Sequence, residues 1–405
     1  AGRFATLLHR GHGTRSSIVA RRSTGGVTMA AGIMAGATVS CLGTVGVVRE
    51  ADHSGLVLVQ LKVGQTAWAF ASDVSRRKLK AARGGVPQPK RPPSGIDESA
   101  EPGLAVGTLR WAKEHMFPSL GEPTWASPPE RLLGWAKYAR ARPIAPEPSL
   151  IDGLSYPLTL LFAWEQLARL APMQLPALGA ELTLVLCGAS QKVEERLLYE
   201  TSYWLELIRY PRVFPPPLRL KLLLAGREVR RHGEERVWSP RVRSACFCGG
   251  VSDALAAHGC EPATAVLVGY NTGCGSGIED VMVGWAPDLR AALLRGFLGF
   301  FTCANDYSDL RGELALHELL GANVVLPASR SAFPAMVVTR EPARTGADGR
   351  EAVHWSRSSS FLYAVRGLTP AGAARAHAES ASALQERVRA LAQELRESEE
   401  VSPVP

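Results

Sequence analysis

The sequence predicts an α/β protein: a Rossmann-like, mainly parallel sheet with helices on both faces, preceded by a small SH3-like β barrel and followed by a C-terminal helix. Three observations predict this architecture. From about residue 154 to residue 366, apolar runs that end near Gly alternate with helix-period segments, as in strands buried on both faces. Short β-branched runs with Gly-containing turns fill residues 25–75. An amphipathic pattern with steps of three and four occupies residues 370–398.

The overall composition is that of a globular protein without a membrane span. The chain has 405 residues, of which 46% are hydrophobic and 21% charged, enough for one large domain with smaller units. The longest apolar run, LLRGFLGFF at residues 293–301, is much shorter than the roughly 18 residues that cross a bilayer. The 7 Cys contain no CxxC pair, so we predict buried thiols in a reducing compartment and neither a disulfide scaffold nor a zinc site. No cofactor or metal is predicted.

The first residues of the chain are basic and free of acidic side chains. No Asp or Glu precedes Glu50, and the formal net charge of the whole chain is +8. Such a start resembles an organelle transit segment over residues 1–24, and it predicts a mitochondrial location. The chain begins with Ala, so an internal linker is the alternative, and the location is then cytoplasmic rather than secreted. The basic residues are Arg3, Arg10, Arg15, Arg21 and Arg22.

Residues 25–75 predict a small all-β module. The runs TVGVVRE and GLVLVQLKVG flank the turn at 52–55, and TAWAFASDV alternates with period two. This pattern resembles KOW and mind-bomb-type SH3-like modules, which bind peptides or nucleic acid or pack on a neighbouring domain. The Pro- and Gly-rich segment 76–105 predicts a linker. Its basic start, RRKLKAAR, can contact phosphates, although a solvated linker has the same composition.

The segment 106–366 predicts the α/β domain. It begins with a helical lead-in that contains PERLLGWAKYARA. Predicted helices follow at 194–210 and 287–296, the second with Pro near its first turn and Gly at its end. The predicted strands are LTLVLCG (182–188), LRLKLLLAG (218–226), ATAVLVGYN (263–271), FFTCAND (300–306), ANVVLP (322–327) and FLYAV (361–365).

The C-terminal helix has an apolar stripe with two interpretations. It predicts either a short coiled coil or an amphipathic helix docked on its own domain, and the sequence favours neither. The stripe consists of Ala374, His377, Ala381, Leu384, Val388, Leu391 and Leu395.

The Gly-rich stretch GYNTGCGSG, residues 269–277, follows a predicted strand. Backbone N–H groups in such a loop can wrap phosphates, so nucleotide or S-adenosylmethionine binding is one interpretation. The stretch matches neither G-x-x-x-x-G-K-[ST] nor G-x-G-x-x-G, and no clear helix is predicted directly after it. Glycines that serve only tight turns are the alternative.

The stretch TCANDYSDLRGE, residues 302–313, combines a thiol with polar and acidic side chains. A nucleophilic Cys303 needs a base, and His317 is the nearest along the chain. A thiol at the end of a buried strand is more often part of the packing. Asn305 and Asp306 fit a turn, with Asp306 or Ser308 as the cap of a helix that ends at Gly321. We therefore assign no catalytic residue.

Several strings, taken in order, resemble the C-terminal domain of the mitochondrial splicing suppressor 51-like family, which is also found in MYND-type zinc-finger proteins. The resemblance covers roughly residues 150–335. The matching strings are LSYPLTLLFAW (154–164), LTLVLCGASQKVEE (182–195), YWLELIRYPRVFPPPLRLKLLLAGREV (203–229), AVLVGYNTGCGSG (265–277), GWAPDLRAALLRG (284–296) and FTCANDYSDLRGELALHELLGANVVLPASRSAF (301–333).

The resemblance implies regulatory or adaptor proteins without an established reaction. Two features of the family do not carry over: only Cys41 precedes Cys187, so no MYND zinc finger can form, and no Cys precedes Pro, so haem-regulatory pairs are absent from the sequence. In a parallel sheet, polar residues at strand ends gather at the edge that binds ligands. The residues predicted at this edge are Ser190, Glu194, Asn271, Gly273, Gly275, Cys303, Asn305 and Asp306.

Three functions remain open from the sequence. The leading hypothesis is a non-catalytic regulatory or adaptor protein that binds a protein or RNA partner, in mitochondrial gene expression such as translational activation. The second is a Rossmann-type transferase or hydrolase that uses the polar strand ends. The third is an RNA-binding protein that uses the β module and the basic linker. A deep small-molecule pocket at the strand ends would favour the enzyme.

Overall fold

The structure is a computed structural model that describes residues 38–41, 44–51, 56–61, 66–70, 74–76, 120, 131–142, 144, 148–306, 308–337, 339–340, 344–345, 351–352 and 355–401. The predicted basic segment 1–24 lies outside these residues, as does the predicted linker 76–105 apart from its first residue. Both stay predictions.

Five strands in the predicted N-terminal module form an antiparallel sheet in the order β4-β3-β2-β1-β5. The predicted hairpin is present, because β2 and β3 pair on either side of residues 52–55. The SH3-like closure of this sheet stays a prediction. The strands are β1 (Thr38–Cys41), β2 (Thr44–Ala51), β3 (Leu56–Leu61), β4 (Thr66–Phe70) and β5 (Val74–Arg76).

The second sheet has eight strands and is mainly parallel, as predicted. Its order is β12-β17-β11-β10-β6-β7-β9-β8. The strands are β6 (Glu181–Cys187), β7 (Arg219–Gly226), β8 (Glu235–Ser239), β9 (Val242–Cys248), β10 (Ala265–Tyr270), β11 (Leu298–Cys303), β12 (Ala322–Arg330) and β17 (Phe361–Leu368). Two short hairpin pairs lie between the last two: β13 (Thr339–Arg340) with β16 (Trp355–Ser356), and β14 (Arg344–Thr345) with β15 (Glu351–Ala352).

The strand order is that of a doubly wound fold. β9, β7, β6, β10 and β11 are adjacent and parallel. β12 runs in the same direction, because both β11 and β12 are antiparallel to β17 between them. Numbered by position in the chain, these six strands have the order 3-2-1-4-5-6 of dinucleotide-binding sheets, with the reversed β17 inserted before the last. The order reverses between β6 and β10, and ligands bind beside such a switch point.

Helices cover both faces of this sheet. They are α1 (Trp135–Ala141), α2 (Pro148–Leu170), α3 (Glu194–Glu200), α4 (Val251–Ala257), α5 (Glu279–Leu294), α6 (Asp309–Leu320), α7 (Pro370–Ala378) and α8 (Ala381–Val401), with 3-10 helices at Pro172–Gln174 and Tyr203–Arg209. Successive residues of one strand serve opposite faces: the Phe300 ring lies 5.8 Å from the Trp164 ring of α2, and Phe301 belongs to the core cluster that contains Leu289 of α5. This two-sided burial explains why the strands read as continuous apolar runs.

The C-terminal helix α8 docks on its own domain. Its buried side chains join the core cluster formed by α5 and α6. Arg389 and Arg396 of α8 also form ion pairs with Glu279 at the start of α5. The second half of the predicted stripe is therefore packed within the domain, as in the docked alternative. The first half, Ala374, His377 and Ala381, is exposed, and the predicted single helix 370–398 is divided into α7 and α8. The buried side chains are Leu384, Val388, Ala392 and Leu395.

Three predicted details differ from the structure. The predicted helix 194–210 is broken after α3, where the Thr201 hydroxyl donates to the Leu197 carbonyl at 2.5 Å and the chain continues as a 3-10 helix. α5 begins at Glu279, directly after the Gly-rich loop, although no helix was predicted there. Pro287 lies inside α5, on an exposed face of the helix, although proline lacks the N–H that a helix interior normally uses.

Candidate functional site

A cavity of about 400 Å³ opens at the carboxyl ends of β6, β7, β9 and β10, beside the switch point of the sheet. One wall is α5, and the floor is made by the strand ends. We call this cavity the strand-end cleft. Its lining residues are Gly188, Ala189, Ala225, Gly226, Arg227, Glu228, Gly249, Gly250, Val251, Thr272, Asp280, Val281, Gly284, Trp285 and Asp288.

Glycines shape the floor of the cleft because the backbone approaches other groups closely there. Gly188 has a φ of 71°, and a Cβ on it would lie 2.7 Å from the Trp285 ring. The Trp285 indole therefore lies directly over the end of β6. A Cβ on Gly226 would overlap the Ala189 carbonyl oxygen, so only Gly permits the chain segments at the ends of β6 and β7 to approach each other this closely.

Charged side chains line the cleft with an excess of negative charge. Glu228, Asp280 and Asp288 contribute three carboxylates, and Arg227 contributes one guanidinium. The side chains of Arg227, Glu228 and Asp280 are exposed. The Asp288 carboxylate accepts a hydrogen bond from the Val251 backbone N–H at 2.9 Å, which joins α5 to the start of α4. Two negative charges thus remain in excess.

Three backbone N–H groups of the first strand-to-helix turn, those of Ala189, Ser190 and Gln191, already donate within the protein. Ala189 N donates to Ala225 O at 3.1 Å, and Gln191 N donates to Glu228 O at 3.1 Å. Ser190 N donates to the Glu194 carboxylate at 2.9 Å. Burial raises the pKa of Glu194 to about 7, partly offset by the hydrogen bonds from Ser190.

The neighbouring strand ends, those of β10 and β11, carry a buried network centred on Glu313 of α6. The Glu313 carboxylate accepts hydrogen bonds from the Thr272 hydroxyl at 2.8 Å, the Tyr363 hydroxyl at 2.7 Å and the Cys303 thiol at 3.2 Å. Burial raises the pKa of Glu313 to about 7, which the three donors partly counteract. We call these four residues the Glu313 network.

Cys303 and His317 are not arranged for nucleophilic catalysis. The Cys303 thiol is fully buried, and its pKa lies well above the usual value because of burial and the Glu313 carboxylate. The thiolate needed for attack is therefore disfavoured. His317 is buried against the rings of Phe301 and Tyr363, with centroids 5.0 and 5.5 Å away. Burial lowers its pKa to about 4, so the imidazole is neutral.

Asn271 and Asn305 support the backbone at the ends of β10 and β11. Asn271 has a φ of 46°, and its Oδ1 accepts the Ser359 N–H at 2.9 Å. Asn305 Oδ1 accepts N–H bonds from Ser308 and Asp309 at 2.9 and 3.0 Å. Of the two predicted caps of α6, Ser308 occupies the N-cap position, but its side chain makes no capping hydrogen bond, and the Asp306 side chain is exposed. The Asn305 side chain accepts the N–H groups instead.

The Gly-rich loop after β10 serves close packing. Gly273 has a φ of 61°, which a glycine adopts without strain. Gly275 abuts Gly312 of α6, and a Cβ on either residue would overlap the backbone of the other. The tight-turn interpretation of this loop therefore describes the structure, and of the whole stretch only Thr272 reaches the strand-end cleft.

The predicted edge residues all lie at carboxyl ends of strands, but they divide between two places. Ser190 and Glu194 follow Ala189 at the cleft. Asn271, Gly273, Gly275, Cys303, Asn305 and Asp306 lie around β10 and β11 instead. Sequence reasoning missed Glu228, Asp280, Trp285 and Asp288. The acidic pair at 279–280, one residue beyond the Gly-rich stretch, was the available signal, because acidic residues favour the first turn of a helix.

Within the part of the chain that the structure describes, no group of three or more His, Cys, Asp or Glu side chains is arranged to hold a metal ion. None of the described helices is long and apolar enough to cross a membrane. Comparison of the chain with models of protein families, with curated proteins and with solved structures found no match.

Proposed function

We propose that the α/β domain binds a small molecule containing a nucleoside in the strand-end cleft. The observation that carries this proposal is the position of the cleft, beside the switch point of a sheet with the order 3-2-1-4-5-6. Ligands of such sheets bind outside the carboxyl ends of the strands at this point. The volume of about 400 Å³ lies within the range of roughly 300–1,000 Å³ for small-molecule pockets.

The side chains of the cleft match the parts of a nucleoside. Glu228 is the second residue after β7, the second parallel strand along the chain, and its exposed carboxylate can accept hydrogen bonds from vicinal ribose hydroxyls. An acidic residue has this role in dinucleotide-binding sheets. The half-buried Trp285 offers an aromatic surface to a base, and bases stack on such surfaces.

The cleft favours a ligand-binding protein, and the Rossmann-type transferase or hydrolase among the sequence hypotheses, over a pure adaptor. It provides the pocket with converging polar groups that an enzyme requires. The regulatory or adaptor function, the mitochondrial location, the RNA-binding alternative and the family resemblance stay predictions. The SH3-like barrel also stays a prediction, and the strand order β4-β3-β2-β1-β5 of the antiparallel sheet supports it.

Calorimetric titration of the full chain with adenosine tests the proposed function. We expect saturable binding that becomes about tenfold weaker in Glu228→Ala, since a hydrogen bond to a charged group contributes roughly 1.5–3 kcal/mol. Glu235→Ala, which removes an exposed glutamate from β8 outside the cleft, should bind as the parent chain does. Absence of binding by any nucleoside, or equal effects of the two substitutions, would refute the proposal.

A further inference from the structure

We propose that the strand-end cleft selects a nucleoside that carries a positive charge, the class represented by the sulfonium nucleoside S-adenosylmethionine, over nucleotides that carry phosphates. This inference rests on the proposed function, because it assumes that the cleft holds a nucleoside. It goes beyond that function by assigning the sign of the ligand's charge.

The charged side chains that line the cleft leave it with an excess of negative charge. Three carboxylates, those of Glu228, Asp280 and Asp288, face one guanidinium, that of Arg227. An anionic ligand would therefore meet a net negative field, which a concave low-dielectric surface strengthens. S-adenosylmethionine carries an ammonium, a sulfonium and one carboxylate. Its two cations and one anion complement the three carboxylates and the guanidinium.

Three backbone N–H groups in the turn between β6 and α3 are bonded within the protein. Phosphate sites of doubly wound folds use free N–H groups at a Gly-rich turn and a helix N-terminus. Here the N–H groups of Ala189, Ser190 and Gln191 already donate to acceptors within the protein. The helix that follows begins with Glu194 and Glu195, both buried. These three backbone donors are therefore not free for a diphosphate, and the one cation of this turn, Lys192, does not line the cleft.

The end of the third parallel strand repeats this pattern. The Val251 N–H, at the start of α4, donates to the Asp288 carboxylate at 2.9 Å. A Cβ on Gly250 would lie 2.7 Å from the same carboxylate, so the acidic group stands directly over this strand end. A phosphate here would have to displace a carboxylate from its own hydrogen bond. A cation would instead be attracted to it.

Trp285 adds an aromatic ring to the wall of the cleft. Its ring lies over Gly188 at the end of β6, and the residue is half-buried in the wall of the cleft. The face of an indole attracts cations more strongly than the other aromatic side chains do. A sulfonium or ammonium group in the cleft would therefore be favoured both by the aromatic face and by the surrounding carboxylates.

The test compares two ligands that differ chiefly in one charge, using the full chain. Calorimetry measures the affinities of S-adenosylmethionine, of its neutral thioether analogue S-adenosylhomocysteine, of adenosine and of ATP. We expect S-adenosylmethionine to bind about tenfold more tightly than S-adenosylhomocysteine, the order of magnitude for one ion pair at a protein surface. ATP should bind more weakly than adenosine.

Asp280→Asn identifies the source of the preference. This exposed side chain lies in the first turn of α5, so its replacement should preserve the fold. We expect the variant to lose most of the preference for S-adenosylmethionine over S-adenosylhomocysteine. The matched control is Glu318→Gln, which removes an exposed carboxylate from the last turn of α6, away from the cleft, and should keep the preference.

Each other outcome has a defined meaning. Equal affinity for S-adenosylmethionine, S-adenosylhomocysteine and adenosine, or tighter binding of ATP, overturns the charge assignment and leaves the nucleoside function intact. Preserved preference in Asp280→Asn overturns the assignment of the preference to the carboxylates of the cleft. No binding by any of the four compounds overturns the nucleoside function, and the charge assignment with it.

Discussion

The carboxyl edge of the sheet has an open half and a closed half, made from the same kinds of residue. The open half is the strand-end cleft, formed mainly at β6, β7 and β9 and reached by Thr272 from the end of β10, where Glu228 and Asp280 are exposed. The closed half lies at β10 and β11, where Glu313 is fully buried and accepts three hydrogen bonds. Glycines and acidic side chains occur in both. Such residues at strand ends therefore indicate the edge, but they do not indicate which part of it is accessible.

The covering helix makes the difference between the halves. α6 presses Gly312 against Gly275 and inserts Glu313 beneath the Gly-rich loop. α5 lies beside the cleft with Gly284 facing it, and a Cβ on that residue would have no neighbour closer than 4.0 Å. The closed half has become core, and the open half keeps space for a ligand.

The largest expected effect comes from adding one methyl group in the closed half, at Gly312, compared with the same addition in the open half, at Gly284. Gly312→Ala should lower the free energy of unfolding by about 3 kcal/mol, since its Cβ overlaps the Gly275 carbonyl oxygen and overpacking costs roughly 1–3 kcal/mol or more. Gly284→Ala should leave stability unchanged or raise it by up to about 1 kcal/mol, because Ala favours helices. Urea denaturation followed by circular dichroism measures both. Equal losses in the two variants would contradict the distinction between the halves.

The second prediction concerns the pH dependence of stability. The pKa of Glu313 is raised to about 7 by burial, from about 4.5 for an exposed glutamate. As pH rises, the unfolded chain therefore loses this proton first. The contribution of Glu313 is fully present below about pH 4.5 and is lost progressively up to about pH 7. The pKa values of Asp152 and Glu194 are also raised by burial, so their contributions to stability are also lost as pH rises. Burial lowers the pKa of His317, so its contribution is lost as pH falls instead.

Glu313→Gln isolates this contribution. Between pH 5 and 7, the free energy of unfolding should decrease less in the variant than in the parent chain. We expect the difference to be about 2–3 kcal/mol, because each unit of pKa shift corresponds to roughly 1.36 kcal/mol. Denaturant titrations at a series of pH values measure it. Glu318→Gln, an exposed glutamate on the same helix, is the control and should keep the parent pH profile. An unchanged profile in Glu313→Gln would show that this carboxyl does not titrate as a buried acid.

A smaller effect is expected for the cap of α6. Asn305→Ala should lower the free energy of unfolding by about 1 kcal/mol, because the amide oxygen no longer accepts the Ser308 and Asp309 N–H groups. Nucleoside affinity should be unchanged, since Asn305 belongs to the closed half. Ser308→Ala removes no acceptor from those N–H groups, so it should lower the free energy of unfolding by a smaller amount. Loss of nucleoside binding in Asn305→Ala would place the site at β11 instead of the cleft.

The smallest perturbation is alkylation of single thiols. Of the cysteines whose side chains the structure describes, Cys248 is exposed and the other five are buried. In a Cys41→Ser background, native protein treated with iodoacetamide should be modified at Cys248 alone, as read by peptide mass spectrometry. A saturating nucleoside should slow the reaction, because the Cys248 thiol donates to the carbonyl of Arg227, which lines the cleft. Equally fast modification of Cys303 would show that the closed half opens.

Much of the fold was predictable because two-sided burial leaves a local signal. The runs at 182–188, 218–226 and 263–271 became β6, β7 and β10 with small shifts at their ends. β8 and β9 were not predicted. β8 is an edge strand with mostly exposed residues, and β9 contains Arg243 and Ser244 among its apolar residues. The start of α5 was missed since Pro287 suggested a first turn, whereas the fold tolerates it on the exposed face of the helix.

The sequence by itself determined the α/β alternation, the glycine-bounded strand ends and the polar character of the edge, because these depend on residues close together in the chain. Only the tertiary structure decided which strand end is closed and which is open. The contacts responsible join distant residues: Tyr363 to Glu313 across 50 positions, and Val251 to Asp288 across 37. A carboxylate becomes a buried acceptor or a cleft-lining charge according to the helix that lies over it, and no local pattern specifies that helix's position.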